Sequence, residues 1–240
     1  IKGSIIYKNA TYPVTSIGSS AFEDCTSLTS IEIPNSVTSI GESAFRDCTS
    51  LKNITIPDSV TYIYSNSFAN CKNITEVVMP NGIARISAQI FSGCSALESV
   101  TLSSASTIIE QLAFSGCGSL TEITIPAGVA TIGSDAFRGC TNLTKAPKLP
   151  ATTLDISCYY CMFNGCTSLS SIELHEGLKK IGKGAFKNCK NIKSVEVPSS
   201  VTKIGNGAFA GCAKLEKLVL PFVGGKLNTD GVASKSTLFG

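Results

Sequence analysis

The chain has 240 residues, 43% of them hydrophobic and 15% charged, with eleven cysteines, no tryptophan and a formal net charge of +3. No apolar run approaches the 18 or so residues that a membrane span needs, which excludes membrane insertion by a helix of this chain. Charge is uneven along the chain, net −4 over residues 1–140 and +7 over residues 141–240, with six lysines between Lys179 and Lys193.

The chain starts at Ile1 with neither an initiator methionine nor a signal peptide, and is expected to be a fragment of a longer product. Residues 1–14 read as strand, turn, strand, with Ile5, Ile6 and Tyr7 before Lys8-Asn9-Ala10 and Thr11-Tyr12-Pro13-Val14 after it. Such a hairpin is expected to cap the open end of the repeat array that begins at residue 15.

From residue 15 to 221 a pattern returns. Cys25, Cys48, Cys71, Cys94, Cys117 and Cys140 fall 23 residues apart; one step of 26 leads to Cys166, and the step of 23 resumes at Cys189 and Cys212. A fixed period of this length means a solenoid, and it makes residues 1–240 one elongated domain despite a length that would allow two. Three residues before each marker cysteine stands a phenylalanine, from Phe22 to Phe209. Three residues after it stands Leu or Ile, from Leu28 to Leu215.

A short alternation comes next, as in Ile31/Ile33 and Ile54/Ile56, and predicts a half-buried strand. Proline then ends the strand at Pro34, Pro57, Pro80, Pro126, Pro198 and Pro221, because it has no N–H to give. Pairs such as Val37/Ile40 and Val60/Ile63 predict a second short strand. The run from Gly41 to Cys48 has helical spacing of Ala44, Phe45 and Cys48 and predicts a turn or two of helix held by packing.

The expected architecture is an α/β repeat solenoid, a right-handed coil of about nine rungs. It has one long parallel sheet from segments around 29–33, 52–56, 75–79, 98–102, 121–125, 170–174, 193–197 and 216–220. Residues 146–166 form the one irregular rung, three residues longer than the rest, with Lys148-Leu149-Pro150 shifted by one and two more residues gained before Cys158-Tyr159-Tyr160-Cys161. Residues 222–240 leave the pattern and read as a tail or a truncated rung.

No constellation of residues points to chemistry. Among Phe and Leu rows the marker cysteines are expected to be buried, reduced and free of metal, as small hydrophobes. Cys158-x-x-Cys161 is half a zinc site, and the single histidine, His175, takes a proline slot expected to be solvated. Glu173 and Glu196 share one outward strand position on adjacent rungs, a separation resembling a retaining glycosidase pair, but the period alone forces that repetition. No Gly-rich phosphate loop is present, and the lysine cluster lacks aromatic partners for nucleic acid. No enzyme activity, catalytic residue, metal or cofactor is expected.

The string Ile-Gly-x-x-Ala-Phe-x-x-Cys-x-x-Leu-x-x-Ile-x-Ile-Pro-x-x-Val, carried most fully by 40–60, 132–143 with 123–129, and 181–204, resembles the BspA-like, or Treponema-type, leucine-rich repeat. The resemblance covers about residues 15–221. Ser36 and Ser59 stand where the general leucine-rich signature has asparagine. The resemblance implies a leucine-rich-repeat coil, usually surface-anchored or secreted in host-associated bacteria and some protists, with roles in adhesion and protein binding.

The expected function is therefore a cell-surface or secreted binding module that holds a host protein or glycan on a flat face, with no nucleic acid partner. A structural spacer without a ligand is the alternative. The expected contact residues are Glu32, Thr55, Glu76, Thr101, Glu122, Thr124, Glu173 and Glu196 on the outward strand positions, together with Tyr159 and Tyr160 in the irregular rung.

Overall fold

The computed structural model of the chain describes residues 1–8, 10–148 and 160–220. Two strands, β1 (Ser4–Tyr7) and β2 (Ala10–Pro13), pair antiparallel at the start, with Lys8 in a left-handed turn conformation. Every later pairing between named strands is parallel. The result is a right-handed β-solenoid of about eight turns. The nine phenylalanines from Phe22 to Phe209 delimit those turns, one at each boundary.

Two kinds of strand alternate along the chain. After β3 (Ser16–Ile17) come β4 (Ser30–Glu32), β5 (Ser39–Ile40), β6 (Asn53–Thr55) and β7 (Tyr62–Ile63). They are followed by β8 (Glu76–Val78), β9 (Arg85–Ile86), β10 (Ser99–Thr101), β11 (Ile108–Ile109) and β12 (Thr131–Ile132). The last described rungs hold β13 (Lys180–Ile181), β14 (Ser194–Glu196), β15 (Lys203–Ile204) and β16 (Lys217–Val219).

The three-residue strands pair as β4–β6, β8–β10 and β14–β16, and the two-residue strands as β3–β5–β7, β9–β11–β12 and β13–β15. The expected single long sheet is thus a row of short parallel ladders. Residues 121–125 form no strand, and 170–174 contribute only a bridge from Ser171 to Lys145. Three-residue parallel strands share only a couple of slanted hydrogen bonds, so a slight opening between rungs interrupts the ladder. The apolar register survives the interruption, since Ile123 and Ile125 stay buried.

The expected helical turns are absent: no helix occurs among the described residues. Two residues per rung take positive φ instead. The residue just before each marker cysteine does so, from Asp24 and Asp47 through Asn70, Gly93, Gly116, Gly139 and Gly165 to Asn188 and Gly211. A second does so four residues earlier, as at Ser43, Asn66 and Gly184. Asp, Asn and Gly bear this conformation at low cost, and it ends any right-handed helix.

Alternate N–H groups then point to the next rung. Ser43, Phe45 and Asp47 donate to the carbonyls of Ser65, Ser67 and Ala69 at 2.8–3.0 Å. The remaining ones close local turns, as Cys48 does to Phe45 at 3.2 Å. The turn region is itself a parallel ladder.

Packing follows the period. The phenylalanines form one continuous stack from Phe22 to Phe209, with ring centroids 5.1–5.9 Å apart and planes within 17°. Each buried ring contributes about 1.5–3 kcal/mol by leaving water, and each stacked pair about 0.5–1.5 kcal/mol more. Ile, Leu and Val rows complete the core, which runs the length of the described rungs.

Candidate binding surface

The marker cysteines are structural. Each marker thiol from Cys48 to Cys212 donates to the carbonyl of a phenylalanine one rung back, beginning with Cys48 to Phe22 at 3.0 Å and ending with Cys212 to Phe186 at 3.2 Å. Burial pushes these thiols up, Cys48 to about 11 and Cys94 and Cys166 to about 12. They stay protonated and unreactive at neutral pH. All the described cysteines are free.

One departs from the expected burial. Cys25 is exposed, because no rung lies behind it to supply a carbonyl and a wall. Phe22, Leu28 and Ile31 of the same rung are only partly buried. The β1–β2 hairpin touches this rung through its backbone. The Ile1 amino group donates to the Glu32 carbonyl at 3.0 Å, and the Gly3 carbonyl lies 3.2 Å from Ser36 Oγ.

The serines at the asparagine position act as inter-rung pins. Ser36 Oγ donates to the Val14 carbonyl at 2.8 Å and Ser59 Oγ to the Val37 carbonyl at 2.7 Å. They hold the strand exits in register and keep the outward strand residues lined up.

Those outward residues are exposed along the row: Ser30 and Glu32, Asn53 and Thr55, Glu76 and Val78, Ser99 and Thr101, Glu122 and Thr124, Ser171 and Glu173, Ser194 and Glu196. Pro147, in the same register, is instead buried. Three of the expected contact residues come together. A groove of about 690 Å³ is lined by Glu32, Asn35, Thr55, Asp58 and Ser59 over a floor from Ile31 and Ile33. A second, of about 550 Å³, adjoins it through Thr55, Pro57 and Asp58 and reaches Glu76, Val78 and Pro80. Asp58 is fixed there, accepting from the backbone and side-chain nitrogens of Asn81 at 3.1 and 3.3 Å.

Asp58 and Val78 also line these grooves and were not among the expected contact residues. Val78 is the signal that was available, being 56% exposed where the rungs on either side carry Thr55 and Thr101. Thr101, Glu122, Thr124, Glu173 and Glu196 lie on the same row but outside these grooves.

Tyr160 is 44% exposed but lies elsewhere, in the turn region, where its carbonyl accepts from the Asp135 N–H. Tyr159 falls outside the described residues, as do Cys158 and the 222–240 segment. His175 is partly buried rather than solvated, with Nδ1 2.9 Å from the Glu176 carbonyl. Cys161 is partly buried and belongs to no cluster of three or more potential metal ligands among the described residues. No described helix is long and apolar enough to cross a membrane.

The family model for the BspA type leucine rich repeat region matches six copies over residues 15–144 and 144–229. No curated protein matches the chain. Three solved structures are similar to it. A leucine-rich cell surface protein from Faecalibacterium prausnitzii is 25% identical over 93% of this chain and 87% of its own, with a TM-score of 0.45. The leucine-rich repeat protein of T. pallidum is 29% identical over 85% and 72%, with a TM-score of 0.47. The pneumococcal vaccine antigen PcpA is 20% identical over 92% and 75%, and its TM-score of 0.54 supports the shared fold.

Proposed function

Because the chain belongs to the BspA type leucine-rich repeat family, we propose that it is a binding module, displayed at a cell surface or secreted, that holds a protein or glycan on its strand face. The observation that carries this reading is the double groove over the first rungs, lined by Glu32, Thr55, Asp58 and Glu76. The stack dictates the buried rows and leaves these outward positions free to serve a ligand. A shallow, extended, acidic surface suits a large partner with basic or hydroxyl groups better than a small enclosed substrate.

The test is capture from a panel of matrix proteins and mucin glycans by the intact chain, followed by charge reversal. Glu32→Lys together with Glu76→Lys is expected to weaken capture by about tenfold or more, with the melting temperature unchanged. Failure to capture anything across the panel favours a spacer that only presents other domains. Capture that survives the reversal removes the grooves from the account.

A further inference from the structure

We propose that Tyr62 and Tyr64 form a stacking platform for a neutral carbohydrate chain that lies along the row of two-residue strands, away from the three-residue strand face. The two rings are 42% and 49% exposed and touch each other, with centroids 4.5 Å apart and planes inclined at 55°. They are the one exposed pair of aromatic rings in mutual contact among the described residues. Neither phenol hydroxyl has a hydrogen-bond partner there. An aromatic ring with a polar tip offers its face to the C–H side of a pyranose and its oxygen to a sugar hydroxyl.

The surroundings fit the same ligand. Ser39 lies in register beside Tyr62, and Ser16 beside Ser39, on successive rungs. Neither serine hydroxyl is used within the described protein. Thr38 and Thr61 spend their hydrogens on the carbonyls of Thr15 and Thr38, at 3.1 and 3.5 Å, and keep their oxygens open as acceptors. Parallel strands sit about 4.8 Å apart, close to the length of one pyranose in a linear chain, so hydroxyls repeat along the rod at the spacing of the sugars.

One rung further on, the charge is already cancelled. Arg85 is bound to Glu110, whose other oxygen accepts the Ala88 N–H at 2.8 Å. A neutral ligand is therefore favoured over a polyanion. A protein partner would need about 800 Å² with an apolar centre, and the described part of this row offers no other large exposed apolar side chain. Single-stranded nucleic acid would need free cations beside the rings, and Arg85 is taken.

The experiment is titration of the intact chain with neutral linear hexasaccharides of glucose, mannose, galactose and xylose, followed by tyrosine fluorescence, which no tryptophan masks. At least one series is expected to bind, with affinity unchanged as salt is raised. Tyr62→Ala and Tyr64→Ala should each weaken binding by about tenfold or more. Tyr62→Phe, which keeps the ring, should retain most of it and controls for folding. Glu32→Lys with Glu76→Lys should leave it intact, so failure here and failure of the strand-face reading are separate results. Binding of none of the neutral sugars, binding indifferent to the tyrosine variants, or binding restricted to acidic glycans, proteins or nucleic acid would overturn the proposal.

Discussion

The first rung and a middle rung carry the same residues at the same spacing and differ in fate. Phe22, Cys25 and Leu28 are partly or fully exposed; Phe114, Cys117 and Leu120 are wholly buried. Phe22 stacks on Phe45 alone, whereas Phe114 stacks on Phe91 and Phe137. Cys117 gives its hydrogen to the Phe91 carbonyl, and Cys25 has no carbonyl behind it. Burial in this protein belongs to the neighbouring rungs rather than to the residue. A rung has no core of its own, and stability is a sum of interfaces between rungs.

The largest expected effect that sharpens this contrast comes from the phenylalanine stack. Phe114→Ala removes a ring held on both sides and should cost about 3–5 kcal/mol. Phe22→Ala, with one stacked neighbour and water on the other side, should cost less than half as much. Urea unfolding of the two variants measures both, and equal losses would break the comparison.

The second effect is alkaline sensitivity. Burial raises the interior thiols from their ordinary value of 9.0 to about 11 for Cys48 and Cys212 and about 12 for Cys94 and Cys166. A raised value means that the folded state keeps protons which the unfolded chain gives up. The stability they supply is complete below pH 9 and is lost as pH climbs through 11 and 12. Cys94 and Cys166, the deeper of these thiols, should each contribute a fall of about 1.4 kcal/mol per pH unit in that window, and Cys48 and Cys212 less. Replacing Cys94 and Cys166 by Ala should flatten the fall measured by denaturant titration, and an unchanged slope would count against buried thiols.

The contrast between rungs also explains what was legible in the sequence. The period, the buried Phe, Cys and Leu rows and the strand positions follow from spacing, because stacking repeats each choice rung after rung. The helical reading of Gly41 to Cys48 failed because it weighed apolar spacing and overlooked the Asp, Asn or Gly before each cysteine, whose left-handed backbone turns the N–H groups toward the next rung. The single sheet failed at 121–125 because period-two patterning reports burial, not hydrogen bonds to a neighbour.

At the candidate binding surface, the outward placement of Glu32, Thr55 and Glu76 was legible from alternation. The grooves that gather them with Asp58 depend on how strand exits pack across rungs. The Tyr62–Tyr64 pair was hidden because these positions vary between rungs, with Ser39 and Gly41 before and Arg85 and Ser87 after, and only the folded row sets the two rings against each other.

The claim that neighbouring rungs confer burial is tested most directly by labelling the native protein with an alkylating reagent at pH 8 and following each cysteine by peptide mass spectrometry. Cys25 is expected to react first and Cys161 later, while Cys94, Cys117 and Cys140 stay unlabelled until denaturant is added. Labelling of Cys117 as fast as Cys25 in the folded protein would contradict the account.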